Sequence, residues 1–167
     1  MKEVSIWWEG PFSLEDIKNK TKINDSDTDY GIYQIYGTHP VYGSDVLLYI
    51  GKAVKQTLAD RINQEKHWWY NQNSSKVEIY AGRLIGKTPT ENEWDLMIGE
   101  AEQLLIYAHR PAHNSSNINS VKEENLSKLH ILNWGDHKNL LPEISSNRIF
   151  DETKDRIEEY FNLNDCC

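Results

Sequence analysis

The sequence predicts an α+β fold in which helices cover one small sheet. Two runs rich in Ile, Tyr, Val and Leu flank a stretch of turn-forming residues, and a third such run follows later. Amphipathic helical patterns come directly before and after the third run. With 167 residues, the chain is long enough for one packed core. We therefore expect a single domain with a three-stranded antiparallel sheet flanked by helices.

The first two strands are predicted over residues 30–36 and 46–52. Turn-forming Gly, Pro, Ser and Asp are concentrated in the stretch between them, GTHPVYGSD. This composition is typical of an antiparallel hairpin with an enlarged connection. The third strand is predicted over residues 76–86, where the sequence is KVEIYAGRLIG.

Two main helices flank the third strand. The first is predicted over residues 57–70, with Thr57 as its N-cap. Its apolar stripe is Leu58, Ile62 and Trp69. The second begins at Thr90, because Thr90 and Glu93 form a capping-box pattern before a long apolar stripe. It is expected to end near Pro111.

The C-terminal part is predicted to pack onto this core. Short helices are expected near residues 121–130 and 151–162. The segment 132–143, LNWGDHKNLLPE, is interpreted as a structural strand and turn. His130 and His137 lie near it, but their spacing and the lack of a matched third ligand argue against a metal motif.

Composition argues against membrane and exported classes. The longest apolar runs are far shorter than the ~20 residues of a membrane span, and the start of the chain, MKEVSIWWEG, has no apolar signal segment. The only two cysteines, Cys166 and Cys167, are adjacent, so they cannot build a disulfide framework or a tetrahedral zinc site. We expect a soluble protein of the reducing cytoplasm with no membrane contact.

The charge distribution leaves a nucleic-acid partner open. The net charge is −8, but residues 30–119 are nearly balanced and the acidic excess lies in the flanks. Such flanks are most often solvated helix faces, and they neither require nor exclude DNA. The tryptophan pairs at residues 7–8 and 68–69 have rings that could stack on bases, although core or edge packing is the favoured interpretation.

Two tyrosines lie in segments that are almost mirror images, GIY at residues 31–33 and YIG at residues 49–51. Side chains alternate across a strand, so each tyrosine shares a face with the glycine of its own segment. If the two faces coincide, Tyr33 and Tyr49 project over backbone without side chains, where a flat or charged ligand is able to approach. The opposite face, which carries the isoleucines, is predicted to be core.

Together with the residues that follow, these segments resemble the GIY-YIG nuclease superfamily. The further matched positions, in order, are Lys52, Ala53, Arg61, Glu102, Leu105, Ile106, Pro111 and Asn114. The resemblance covers residues 29–118, the expected catalytic core. Residues 1–28 and 119–167 are then an N-terminal extension and a C-terminal helical extension of the same domain.

The resemblance implies a metal-dependent DNA endonuclease that hydrolyses phosphodiester bonds by direct attack of water. Its metal is expected to be Mg²⁺, with Mn²⁺ as a substitute, held by the Glu102 carboxylate with several waters retained. DNA is the expected partner, and a homo-oligomer is left open. The biological setting is open between restriction or defence and DNA repair.

The resemblance also implies roles for the other residues. Arg61 binds the scissile phosphate, Tyr33 is the general base, Tyr49 orients water or phosphate, and Asn114 pins the carboxylate helix. A phenol has a pKa near ~10, so Tyr33 needs a nearby cation to lower it. Lys52, on the neighbouring predicted strand, is the nearest source, although strand alternation places it on the opposite face.

Two alternatives stay open. Helical geometry puts Glu100 and Glu102 on opposite margins of the buried face, and only the spacing to Pro111 and Asn114 favours Glu102 as the metal ligand. The fold is also compatible with a catalytically silent nucleic-acid-binding or assembly module. Magnesium-dependent nicking of plasmid DNA separates this module from the nuclease.

Overall fold

A computed structural model describes residues 2–64, 77–86, 90–119, 126 and 128–150. Its strands are β1 (Lys2–Phe12), β2 (Gly31–His39), β3 (Gly43–Ala53), β4 (Glu78–Ile85), β5 (Leu129–Gly135) and β6 (Glu143–Ser145). The helices within these ranges are α1 (Leu14–Lys18), α2 (Leu58–Gln64), α3 (Glu91–His109) and α4 (Ser146–Ile149). The strands form one sheet in the order β3-β2-β4-β1-β5-β6, curled into a half-barrel.

The expectation of a three-stranded antiparallel sheet is wrong. Strands β3, β2 and β4 are antiparallel neighbours, but β1 pairs with β4 and adds a parallel neighbour, β5, so the sheet is mixed and has six strands. β1 alternates buried and outward residues, with Val4, Ile6 and Trp8 in the core. This period of two is the pattern of a strand with one buried face. The segment expected to be an extension therefore supplies an inner strand of the sheet.

The hairpin is longer and its connection tighter than predicted. β2 continues to His39 and β3 begins at Gly43, so only residues 40–42 connect them. The register shifts twice within this pair, once between Ile35 and Tyr36 and again before His39. These irregularities let turn-forming residues lie inside paired strands. The enlarged connection predicted from composition is therefore wrong.

The predicted helices agree with the observed ones to different extents. α3 matches closely, because Glu93 accepts a hydrogen bond from the Thr90 N–H (3.0 Å) and Arg110 ends the helix in a left-handed conformation. α2 covers the first half of the helix predicted over 57–70. The helix predicted over 121–130 is wrong at its end, where Leu129 begins β5. Residues 65–70 and the helix predicted over 151–162 lie outside the described residues.

Two hydrophobic clusters lie on the two faces of the sheet. One joins Ile32 and Ile50 to the buried side of α3, and the other joins Tyr33 and Ile35 to α1 and α2. Strand β3 is the edge strand of the sheet. Both α2 and α3 contact it, α2 on the Tyr33 face and α3 on the Ile50 face. In the described ranges, no helix combines the length and apolar character needed to cross a bilayer.

Candidate active site

The two motif tyrosines meet over Gly51. Tyr33 is the cross-strand partner of Gly51, and the ring centroids of Tyr33 and Tyr49 are 6.1 Å apart. A Cβ atom built on Gly51 would lie 2.5 Å from the Tyr33 hydroxyl oxygen and 2.7 Å from Tyr49 Cε1. Both phenol rings therefore rest against backbone without a side chain, in agreement with the sequence prediction. Tyr33 itself is fully buried.

Gly31 serves a different purpose. Its φ is +142°, and a Cβ atom there would lie 2.3 Å from the carbonyl oxygen of Gly82 on β4. The backbones of β2 and β4 approach too closely for any side chain at this position. The glycine of the GIY segment is thus required for strand pairing, whereas the glycine of the YIG segment makes room for the tyrosines.

Lys52 and Glu102 form an ion pair on the other face of β3. Lys52 is the cross-strand partner of Ile32, and its Nζ lies 2.9 Å from Oε2 of Glu102 on α3. Gly99, one turn earlier on α3, leaves space for this ammonium, because a Cβ atom there would be 3.4 Å from Lys52 Nζ. Lys52 thus lies on the Ile50 face, as strand alternation predicts, and pairs with Glu102 rather than with the Tyr33 phenol.

The pKa of Glu102 depends on the burial of its carboxyl group and on the charges of two cations. Burial raises the pKa of Glu102 above its ordinary value of 4.5, while the hydrogen bond and charge of Lys52, and then the charge of Arg61, act to lower it. Arg61 belongs to α2 and Glu102 to α3. The charge of Arg61 therefore acts on Glu102 although the two helices pack on opposite faces of the sheet.

Glu100 forms a similar ion pair, with a lysine of strand β1. Its Oε2 lies 2.6 Å from Nζ of Lys2 on β1, and the Glu100 and Glu102 side chains are 13% and 14% exposed. The two glutamates therefore have similar burial and similar partners, on opposite margins of α3 as helical geometry predicts. Only Glu102 lies beside the YIG strand.

Asn114 ties the segment after α3 to β3. Its Oδ1 accepts from the Ile50 N–H (3.0 Å), and its Nδ2 donates to the Ile50 carbonyl (2.9 Å). The N–H groups of Ala112 and His113 donate to β3 carbonyls at 3.1 and 2.8 Å. These bonds fix the end of α3 against the residue before Gly51, which is the positioning role that the sequence favours for Asn114.

Sequence reasoning missed the residue pair that anchors α2. Arg83 on β4 donates to Asp29 Oδ1 from Nε (3.0 Å) and Nη2 (2.6 Å), and its Nη1 contacts Glu9 at 2.6 Å. The Asp29 carbonyl in turn accepts from the Leu58 N–H (2.7 Å) at the start of α2. Asp29 thus positions the helix that carries Arg61. An acidic residue directly before the GIY strand was the only sequence signal for it.

Of the predicted metal site, the structure shows the position of one carboxylate, that of Glu102. Among the described residues, no group of three His, Cys, Asp or Glu side chains is arranged to hold a metal ion. Mg²⁺ is often bound through one or two carboxylates, since it keeps several waters and takes other ligands from substrate phosphates, and Glu102, whose Oε2 pairs with Lys52, is the residue that would hold it. Such a site requires the ionised carboxylate, which Lys52 and Arg61 favour.

Comparisons with family models, curated proteins and solved structures give no match to this chain. The class of protein is therefore inferred from the ordered motif residues and from the geometry around Gly51 and Glu102.

Proposed function

We propose that this protein is a metal-dependent endonuclease of the GIY-YIG type that hydrolyses phosphodiester bonds of DNA by direct attack of water. One observation supports the proposal: two phenols rest on bare backbone at Gly51, next to Lys52 in β3, whose ammonium pairs with Glu102, and the charge of Arg61 also acts on this carboxylate. The carboxylate supplies a ligand for a metal ion, and the arginine supplies donors for a phosphate.

In this proposal, each residue has a role that follows from its chemistry. The planar Arg61 guanidinium binds phosphate oxygens. Tyr33, as the phenolate, would accept a proton from the attacking water and become a neutral phenol. Tyr49 orients water or phosphate beside it, and Lys52 keeps Glu102 ionised and in place. When bound at Glu102, Mg²⁺ supplies charge stabilisation to the phosphate and to the leaving oxygen.

DNA binding is expected to be modest and strongly dependent on salt. The cations available for phosphate contact have acidic partners: Lys52 pairs with Glu102, Lys55 lies 3.6 Å from Asp95, and Arg83 pairs with Asp29. Each phosphate must therefore compete with a carboxylate, which keeps the affinity modest, and the cation–phosphate contacts that do form weaken as salt rises. The net charge of −8 adds a general repulsion.

We place this activity in the cytoplasm, in a restriction, defence or repair setting. The adjacent pair Cys166 and Cys167 is the whole cysteine content of the chain, which suits a reducing compartment.

A catalytically silent nucleic-acid-binding module of the same type is the second candidate. Lys52 lies close enough to neutralise Glu102, at 2.9 Å, and the Tyr33 side chain is fully buried. Both features suit a site that is used for structure or binding alone.

The decisive experiment is nicking of supercoiled plasmid by the purified protein. The nuclease predicts relaxed and linear products with Mg²⁺ or Mn²⁺ and none when EDTA is present. Cleavage of no DNA or RNA form with either metal would reject the nuclease and leave the binding module.

A further inference from the structure

A pocket of about 640 Å³ lies beside the proposed active site. Three segments form it: the loop before β2, the residues before α2, and the first turns of α3. Its lining includes Asp27, Tyr30, Lys55, Gln56, Trp94 and Asp95. Its volume lies within the ~300–1,000 Å³ of typical small-ligand sites.

The pocket continues the row of ion pairs that contains Glu102. Lys55 follows Lys52 by three residues, and Asp95 precedes Glu102 by seven, which is about 10 Å or two turns along the same side of α3. Lys55 Nζ lies 3.6 Å from Asp95 Oδ2, which repeats the Lys52–Glu102 pair at this position. A DNA strand whose phosphate sits at Arg61 therefore has a neighbouring nucleotide within reach of the pocket.

The lining suits a base better than a phosphate. Tyr30 and Trp94 are partly buried and contribute aromatic surface on which a base is able to stack. The carboxylates of Asp27 and Asp95 repel phosphate but accept hydrogen bonds from amino groups of bases. The Gln56 amide offers both a donor and an acceptor.

We propose that this pocket holds one unpaired base of the DNA substrate, next to the phosphate that is cut. The inference rests on the proposed function, because it uses Arg61 and Glu102 as the phosphate site. The protein then prefers a duplex with a bulged nucleotide over a fully paired one, since the bulged base needs no energy to leave a pair. Adenine, guanine and cytosine enter better than thymine, whose one ring N–H lies between two carbonyl oxygens.

The test measures binding of fluorescent duplexes by anisotropy in EDTA, so that it does not depend on cleavage. Two duplexes differ only in one bulged cytosine. Wild type is expected to bind the bulged duplex about tenfold more tightly, in line with the ~1–3 kcal/mol of stacking one base on aromatic side chains. Trp94→Ala is expected to bind both duplexes equally. Trp134→Ala, at an exposed tryptophan of β5, is the matched control and should keep the preference.

A second variant keeps the test decisive if Trp94→Ala does not fold. Asp27→Asn, in an exposed loop, should reduce the preference for bulged cytosine over bulged thymine. Equal binding of bulged and paired duplexes by wild type would overturn the proposal, as would loss of the preference in Trp134→Ala instead. If the preference appears but plasmid nicking fails, the pocket stands and the protein is a binding module. If nicking occurs without the preference, the nuclease stands and the pocket does not hold a base.

Discussion

The two ends of the β2–β3 hairpin each carry a lysine–carboxylate cluster, and the clusters differ in how far their partners offset burial. At the end near Gly51, the cations Lys52 and Arg61 act on the carboxylate of Glu102. At the end near the turn, the single cation Lys138 contacts the carboxylates of two residues and two aromatic rings. Those partners are Asp45, Glu78, Tyr36 and Tyr80.

In the second cluster, the charge of Lys138 is compensated by protein groups alone. Burial lowers the pKa of Lys138, but its hydrogen bonds to Asp45 and Glu78 outweigh burial, and the pKa is raised. Its Nζ is also 4.2 Å from the Tyr36 ring centroid, and burial raises the pKa of Tyr36 to about 12, so this phenol stays neutral. The cluster links β3 and β4 to the segment after β5, which is a structural task.

The partners of Glu102 offset its burial only in part, whereas those of Lys138 outweigh the burial of the lysine. The raised pKa of Glu102 means that Lys52 and Arg61 do not fully offset the burial of the carboxylate. The two clusters thus differ in whether the partners of the central charged group outweigh its burial, and this difference separates the candidate reaction site from the structural cross-link at Lys138.

The largest expected effect comes from removing the charge of Glu102. Glu102→Gln keeps the size of the side chain and removes the metal ligand, so Mg²⁺-dependent nicking should fall by roughly a thousandfold or more. DNA binding should be kept or become slightly tighter, because a charge that repels phosphate is lost.

Glu100→Gln is the matched control, since Glu100 has the same residue type, similar burial and a lysine partner. Its nicking rate should stay within a few-fold of wild type. Equal rates for wild type and Glu102→Gln at saturating Mg²⁺ would sink the metal assignment, and loss only in Glu100→Gln would assign the metal to the other margin of α3.

Tyr33→Phe tests the proton acceptor separately from the metal. It removes only the hydroxyl oxygen, so cleavage should fall by roughly 10²–10⁴-fold while Mn²⁺ binding, measured by calorimetry, stays unchanged. Tyr49→Phe should cost less, because its role is orientation. A Tyr33→Phe enzyme that cleaves at the wild-type rate would remove Tyr33 from the mechanism.

Gly51→Ala should destabilise the protein more than Gly99→Ala, because Gly51 is packed under the two tyrosines and Gly99 lies beside the end of Lys52. The new Cβ would lie 2.5 Å from the Tyr33 hydroxyl oxygen, so the rings must move, and the free energy of unfolding should fall by about 1–3 kcal/mol. Gly99→Ala is the control, because its Cβ meets only the flexible end of Lys52 at 3.4 Å, and the helix gains propensity. Urea denaturation measures both, and equal stability of the two variants would contradict the close packing at Gly51.

Lys138→Met should lower stability without touching the reaction site. Its two carboxylate partners are 62% and 43% exposed and remain partly hydrated, so the expected loss is about 1–2 kcal/mol. Lys55→Met breaks a more exposed pair and should cost less than about 1 kcal/mol. A Lys138→Met protein as stable as wild type would show that the turn cluster is not a cross-link.

The smallest expected effect is a pH dependence from Glu102. Its pKa is raised in the folded protein, so between the ordinary value of 4.5 and the raised value the folded state binds more protons than the unfolded chain. The free energy of unfolding should therefore fall as pH rises through this window. Urea denaturation across the window should show this component in wild type and not in Glu102→Gln. Identical slopes for both proteins would contradict the raised pKa.

The sequence by itself determined the local features of the site. Thr90 and Glu93 specified the start of α3, and strand alternation placed Tyr33 and Tyr49 on the face opposite Lys52. Helical spacing put Glu100 and Glu102 on opposite margins of α3. Each of these rests on a repeat of two or 3.6 residues, which neighbouring residues encode without help from distant segments.

Only the tertiary structure decided which distant segments meet. β1 pairs in parallel with β5, more than a hundred residues away, and this turns an expected three-stranded sheet into six strands. The partners of Lys52, Arg83 and Lys138 were likewise fixed by packing between elements. Periodicity records which face of an element is buried but not which other element covers it, because several partners satisfy the same apolar face.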